Sequence, residues 1–499
     1  MTDSKPESAA RESESTKASK PTKRELILVA ASAVVAFIVH WCFRLSGFGE
    51  QDAARLASDA IHWHASRVIY MDQVDYRLRT SPLYIQSLKL ALDHGLPIRA
   101  LPALMNTVSV FSSSVCSVGL YFLFRRLSNP KIAALATVLY VLTPCFWLGS
   151  VYGMPTLPSL TFWVFAVLAF ARATDEPKLS SEPFAAYLSL SLVLTCIAIA
   201  LKADMALCGG ALLTVLLLER RVRPALLACA GAVVVIGSVF ALLYAKHLAA
   251  PVTVVNPDSV NTLSGFLHDW STRFPFQWSL LIDPKNNAPI THASGTLLFA
   301  LILIALAHGV VAGRESARTT LALAVWGLAP LLFWGLKPGN SARHNLPAFA
   351  PLVLLAASFV FQLAQHRPRR AWLLAGLLSG LALFDTSGPN SVTPCVNVLT
   401  ATHGVEFSTS ALHQRARAFA SSSGAKKAII ESEYLIDYSE FEIWATAKSP
   451  VLRAEPRAVL DGPDRETRIY KVGGQRDART LAQRLRREGW DVFSVQYSL

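Results

Sequence analysis

The sequence predicts a polytopic α-helical membrane protein carrying a small α/β domain at its C-terminal end. Three observations predict it. Hydrophobic residues fill 52% of the 499 positions and charged residues only 16%, whereas soluble chains carry charge at about a quarter of their positions. Mean hydropathy is positive, at +0.38, and the apolar residues gather in runs of roughly 17–25, the length needed to cross a bilayer as a helix. Charge is segregated as well: 28 of the 81 charged residues follow Ser387. Together these exclude a soluble enzyme, a disordered protein and a single-span receptor.

In chain order, residues 1–24 are rich in Ser, Lys and Glu and are expected to form a disordered cytoplasmic tail. The apolar run that follows is long and lacks a small-residue cleavage site, so a span is expected there and not a cleaved leader. The transmembrane domain is placed at 25–386, with about eleven spans of bilayer length, at 25–43, 100–124, 131–149, 155–172, 184–201, 203–219, 224–245, 293–312, 319–336, 345–364 and 370–386. Residues 387–499 form a linker and a polar domain. Within it, segments at 427–430, 442–445, 468–471 and 492–495 read as strands, and 478–488 reads as a helix stopped by Gly489. That domain holds no nucleophile motif, and its Arg484, Arg486 and Arg487 read as a solvated face that could also meet an anionic acceptor or headgroups. Six of the seven cysteines lie in apolar stretches and no metal-ligand spacing occurs, so neither disulfides nor a zinc site are indicated.

The net charge of +13 is explained by topology and implies no nucleic acid. With the tail in the cytoplasm, the short inner loops carry Arg125, Arg126, Lys131, Arg172, Lys178, Arg220, Arg221, Arg223, Arg314, Arg318, Arg367, Arg369 and Arg370, whereas the short outer connections carry only Lys202, Lys337 and Arg343. This follows the positive-inside rule and supports an odd number of spans in a plasma or inner membrane, with the C-terminal domain outside.

The first outer loop, 44–99, is more than a connector. Residues 52–63 have helical periodicity, with Leu56, Ala60 and Trp63 on one face and Asp52, Arg55 and Asp59 on another. A second helix is expected from Ser81 as N-cap and Pro82 in the first turn to about Gly95. Both would lie along the outer membrane surface. Asp52 sits just outside the first span, near a helix start, with Glu50 two residues before it. A carboxylate there suits a general base for an acceptor hydroxyl or amine; equally, Asp52 could cap its helix and pair with Arg55. Other polar residues recur at the same membrane face: Arg77, Lys202, Asp204, Lys337, Arg343 and His344. Arg and Lys donors are what a lipid-linked phosphate leaving group needs, although snorkelling to the interface would also place them there.

These residues carry a family resemblance. Gly49-Glu50-Gln51-Asp52 after the first span, Thr80-Ser81-Pro82-Leu83-Tyr84 opening the second surface helix, and Arg343-His344-Asn345-Leu346-Pro347 with Pro351 entering a late span stand in order on one membrane face. Tyr152-Gly153-Met154-Pro155 and Leu201-Lys202-Ala203-Asp204 form polar outer connections. In these features the chain resembles the GT-C superfamily of integral-membrane glycosyltransferases, most of all the group of the protein O-mannosyltransferases and the bacterial aminoarabinose transferase. The resemblance covers about residues 25–385. It implies a GT-C-like bundle that moves a sugar from a polyprenyl-phosphate donor to an extracytoplasmic lipid, glycan or protein, with inversion. It implies Asp52 as base with Glu50 as the alternative, Lys202, Lys337, Arg343 and His344 at the donor phosphate, and Arg55, Arg77, Tyr84, Tyr152 and Asp204 lining the cavity. Where the family often has adjacent Asp-Glu, this chain has Glu-Gln-Asp. Some enzymes of the superfamily use a divalent ion, but no further acidic cluster is present here to hold one, and no cofactor is expected. The competing reading is a transporter or flippase for a lipid-linked or anionic substrate. Ionisable residues near mid-membrane would favour it, but the polar residues here gather at the outer ends of the spans. A non-catalytic scaffold would leave that gathering unexplained.

Overall fold

The computed structural model describes residues 21–44, 47–48, 51–64, 81–175, 181–202, 205, 296–336, 346–364, 367–383, 411–424, 426–432, 451–454, 465–495 and 499. The first helix, α1 (Lys23–Cys42), starts with a capping box: the Thr22 hydroxyl accepts the Glu25 N–H and the Glu25 carboxylate accepts the Thr22 N–H. Most of α1 faces outward, with Ile27, Leu28, Val34 and Val35 all more than half exposed. An apolar surface of that extent on a single helix suits lipid and not water. Two amphipathic helices follow, α2 (Gln51–His64) and α3 (Pro82–Asp93). Gly95, at φ +90°, ends α3 in the left-handed region.

The bundle continues with α4 (Leu101–Leu127), entered through a 3-10 turn at Ile98–Ala100, then α5 (Pro130–Val141), α6 (Pro144–Val151), α7 (Thr156–Asp175) and α8 (Glu182–Leu201). After residues outside the described set come α9 (Thr296–Val311), α10 (Arg314–Leu336), α11 (Leu346–Leu363) and α12 (Pro368–Leu383). Among the described residues, five helices are long and apolar enough to span, and six if α5 and α6 are taken as one broken span. The protein is therefore a multi-pass membrane protein. The expected spans at 203–219 and 224–245 lie outside the described residues. The span expected as one helix over 131–149 is instead broken and bent by 69°. Thr143 accounts for the break locally: its hydroxyl turns back to the Tyr140 carbonyl at 2.7 Å, and Pro144 cannot donate into the ladder.

One core joins α4, α5, α6, α7, α10 and α11, centred on Phe124, Tyr140, Phe146, Phe170, Trp326 and Phe349. At one end of the bundle the basic residues are paired. Glu25 of α1 takes Arg125 as an ion pair and the Tyr121 hydroxyl at 2.5 Å, and Arg126 forms a two-point pair with Asp175 at 2.7 and 2.9 Å. Such bidentate pairing draws α4 and α7 together where the sequence puts inner loops.

The C-terminal domain contains α13 (Ala411–Ser421), β1 (Lys426–Ser432), β2 (Val451–Ala454), β3 (Glu466–Val472), α14 (Gln475–Arg487) and β4 (Asp491–Ser494). Its sheet is fully parallel, in the order β2-β3-β1-β4. α14 packs on the face of Ala428, Ile430 and Tyr470, and α13 on the face of Ile429 and Ile469. A parallel sheet is covered on both faces in this way. The strand expected at 442–445 lies outside the described residues, and β2 and α13 were not anticipated.

Candidate functional site

The site is built where α1 gives way to α2, at the end of the bundle opposite the Glu25 cluster. The Gly47 carbonyl accepts from the Asn106 carboxamide of α4 at 3.0 Å, and Phe48 is buried beside it. α2 then begins at Gln51, which places Asp52 in the first turn of a helix, where the positive end of the helix dipole favours a carboxylate. From Ala53 on, α2 is enclosed almost all round: Ala53, Ala54, Ala57, Ala60 and Ile61 are inaccessible. The face assignment made from periodicity needs correction here. Asp59 is buried at 4% exposure, whereas Trp63 is 38% exposed. The reason is that α2 packs against both α3 and the start of α4, so burial covers more than the single face that periodicity marks, while Trp63 projects at its far end. Arg55 is half-buried, one turn beyond Asp52.

α3 holds the next element. Tyr84 is buried at 3% exposure, and its hydroxyl donates to the Gly153 carbonyl at 2.8 Å. Burial pushes the Tyr84 phenol far above the usual tyrosine range, so it stays a donor at any working pH. Ser81 stands at the N-cap position, with Pro82 in the first turn, but Ser81 makes no side-chain cap bond. Tyr84→Phe leaves a buried carbonyl without this donor, which costs about 1–3 kcal/mol. A lowered melting temperature in detergent, with helical content retained, is the expected result.

The turn at Tyr152-Gly153-Met154-Pro155 is fixed from two further sides. Ser109 donates to the Met154 carbonyl at 3.2 Å, and Gly153 adopts φ +62° directly over Asn106. Tyr152 is half-buried, and burial raises its phenol above the ordinary value. α8 delivers Lys202, which is buried at 6% exposure, just past the helix C-terminus, with its N–H on the Ala198 carbonyl at 3.0 Å. A cation is favoured at that negative helix end. Ser159 of α7 donates to the same carbonyl at 2.8 Å and ties the two helices together. Leu201, the residue before Lys202, shares one apolar cluster with Phe48, Ala53, Tyr84, Met105 and Met154.

The structure thus gathers the Asp52 helix start, Tyr84, Tyr152 and Lys202 around one cluster. Glu50, Arg77, Asp204, Lys337, Arg343 and His344 lie outside the described residues. The residue just after the Arg343-His344-Asn345 segment is located: Leu346 is fully buried at the start of α11, and its carbonyl accepts the Tyr140 hydroxyl at 2.6 Å, beside the α5–α6 break. Sequence reasoning missed Asn106 and Ser109. Their signal was present as polar residues three apart in the first half of a long, mostly apolar span. It also missed His64, whose Nδ1 lies 2.8 Å from Asp93, itself bonded to Lys89 at 2.5 Å. These two bonds, Lys89 foremost, hold the Asp93 carboxyl below its ordinary range, and the His64 bond ties α2 to α3. Among the described residues, no group of three or more His, Cys, Asp or Glu gathers as a metal site would need.

Residues 83–246 match the family model described as dolichyl-phosphate-mannose-protein mannosyltransferase. A protein of Pectobacterium carotovorum named undecaprenyl phosphate-alpha-4-amino-4-deoxy-L-arabinose arabinosyl transferase is 28% identical over 293 residues, 55% of this chain and 49% of its own length. A protein of the same name from Yersinia enterocolitica is 24% identical over 280 residues, 54% of this chain and 48% of its own length. The chain spans about half the length of these curated relatives. The crystal structure of ArnT from Cupriavidus metallidurans in the apo state superposes with a TM-score of 0.54 at 13% identity, covering 85% of each chain. The protein therefore has the fold of the GT-C superfamily of integral-membrane glycosyltransferases. Within that superfamily it resembles the group that holds the mannosyltransferase model and the arabinosyl transferases.

Proposed function

We propose that the protein is a membrane glycosyltransferase that moves a sugar from a polyprenyl-phosphate donor to an acceptor outside the cytoplasm, inverting the anomeric carbon. The observation that carries this reading is the convergence of the Asp52 helix start, the Tyr152 turn and buried Lys202 on one apolar cluster at one end of a lipid-facing bundle. The names of the arabinosyl transferases support an undecaprenyl-phosphate carrier.

The chemistry suits such residues. A polyprenyl tail gains about 0.8 kcal/mol per methylene buried along an apolar surface. Phosphate is already a good leaving group, so the protein needs to orient the donor, supply a base and meet the departing charge. Asp52 is the general base that takes the acceptor proton as the acceptor oxygen or nitrogen attacks the anomeric carbon, with Glu50 the alternative. Lys202, together with Lys337, Arg343 and His344, meets the phosphate oxygens. Arg55, Arg77, Tyr84, Tyr152 and Asp204 shape the cavity around the sugar. In this reading the tail 1–24 is cytoplasmic, 25–386 is the catalytic membrane domain, and 387–499 lies outside in a plasma or inner membrane.

The test is turnover by the purified full chain in nanodiscs, supplied with a panel of radiolabelled undecaprenyl-phosphate sugars that includes 4-amino-4-deoxy-L-arabinose. Release or transfer of one labelled sugar is the expected result; failure of every donor to bind would overturn the reading. Lys202→Met should weaken binding of the accepted donor by roughly 10–100-fold, since a hydrogen bond to a charged group contributes about 1.5–3 kcal/mol. Unchanged donor affinity in that variant would remove Lys202 from the phosphate site.

A further inference from the structure

Asn106 is a side chain that reaches both halves of the site. It lies on α4, is 1% exposed, and donates from Nδ2 to the Gly47 carbonyl at 3.0 Å. Its Oδ1 faces the Tyr152 turn so closely that a Cβ added to Gly153 would come within 2.5 Å of it. A carboxamide in an apolar span is costly to bury unless its bonds are made, so a residue that serves only packing would more economically be apolar.

The segment that Asn106 grips is short. Gly47 precedes Asp52 by five positions, and between and beyond them Phe48 is buried and Ala53 inaccessible. The chain entering α2 is thus held at Gly47 by a directional bond and at Ala53 by packing. One turn further along α4, Ser109 holds the Met154 carbonyl. The same face of one helix therefore sets the distance between the segment that leads to Asp52 and the turn that bears Tyr152.

We propose that Asn106 is a positioning residue of the transfer reaction: through the Gly47 carbonyl it fixes where α2 begins, and so where the first turn that carries Asp52 stands relative to the Tyr152 turn. This rests on the reading of Asp52 as the base. A displacement of about 1 Å at a reacting group can cost on the order of 100-fold in rate, so the bond acts on the chemical step more than on donor affinity.

The test compares Asn106→Asp with Ser113→Ala in the full chain. Asn106→Asp keeps the size and the oxygen that faces Gly153 but removes the amide donor. Ser113→Ala removes a buried bond that links α4 to α1, between Ser113 Oγ and His40 Nδ1 at 2.8 Å, without touching Gly47. With the accepted undecaprenyl-phosphate sugar, Asn106→Asp should lower kcat by about 10-fold or more while KM and donor Kd stay within about 3-fold. Ser113→Ala should keep kcat and lose only thermal stability. Amide hydrogen exchange over 51–64 should quicken in Asn106→Asp and not in Ser113→Ala, a readout independent of turnover. If Asn106→Asp fails to fold, Asn106→Ser decides by the same split. Wild-type kcat in the Asn106 variant, or an equal kcat loss in Ser113→Ala, would overturn the positioning role. The two readings separate cleanly: an inactive Asp52→Asn beside a fully active Asn106→Asp sinks only the role of Asn106, whereas a fully active Asp52→Asn sinks the reading of Asp52 as base.

Discussion

Asp52→Asn should lower sugar transfer by about 10²–10⁴-fold, the contribution of a positioned general base, while expression and melting temperature hold. Asparagine matches the carboxylate in size and can still cap a helix start, so the fold has little reason to respond. The proton of the acceptor, however, has nowhere to go. Donor Kd should change little, because in the proposed reading cations, and not Asp52, meet the phosphate. The alternative, in which Asp52 only caps α2 and pairs with Arg55, predicts the opposite pattern: turnover near wild type with a modest change in stability. If turnover survives the change, Glu50→Gln is the next variant, and its loss of activity would move the base by two residues without altering the reaction class. Loss of activity in both single variants would mean that the two carboxylates share the work.

Gly153→Ala should be among the most disruptive single-methyl changes in the protein. Gly153 has φ +62°, and an L residue there costs about 1–2 kcal/mol. The added Cβ also arrives 2.5 Å from Asn106 Oδ1 and 3.0 Å from Met105 Cβ, and forcing such overlap in a packed region costs about 1–3 kcal/mol more. Asn106 cannot swing away without releasing Gly47, and Met105 is itself fully buried. The expected result is a marked fall in melting temperature together with loss of transfer, because the turn and the Asp52 segment are displaced together. Gly95→Ala is the internal control. Gly95 has φ +90° but nothing within 4 Å of the added Cβ, so it should show the conformational cost alone. Equal destabilisation in the two variants would mean that the Asn106 contact contributes nothing.

Much of the fold was legible because lipid simplifies the problem. A helix exposed to lipid must satisfy its backbone internally and present apolar residues over bilayer length, so the run boundaries at 25–43, 155–172, 184–201 and 345–364 lie within a few residues of α1, α7, α8 and α11. The helix over 52–63 and the start of α3 at Pro82 were readable from periodicity and from proline in a first turn. The break between α5 and α6 was harder, since both halves are equally apolar and only Thr143-Pro144 marks it. β2 and α13 were missed for a related reason: each is short, and each depends on the sheet it packs against more than on its own pattern.

The site divides along the same line. The sequence alone determined the class of protein, the lipid-facing spans, the two amphipathic helices, and the gathering of Asp52, Lys202 and the Tyr152 turn toward one end of the bundle, because hydropathy and charge placement are local properties of the chain. Only the tertiary structure decided which side chains hold that gathering together. Tyr84 meets Gly153 across 69 positions, Asn106 meets Gly47 across 59, and Tyr140 meets Leu346 across 206. Each of these contacts is a directional hydrogen bond to a backbone carbonyl, which carries no side-chain identity for a sequence pattern to register. It exists only where packing has already brought two distant segments of the chain within bonding distance.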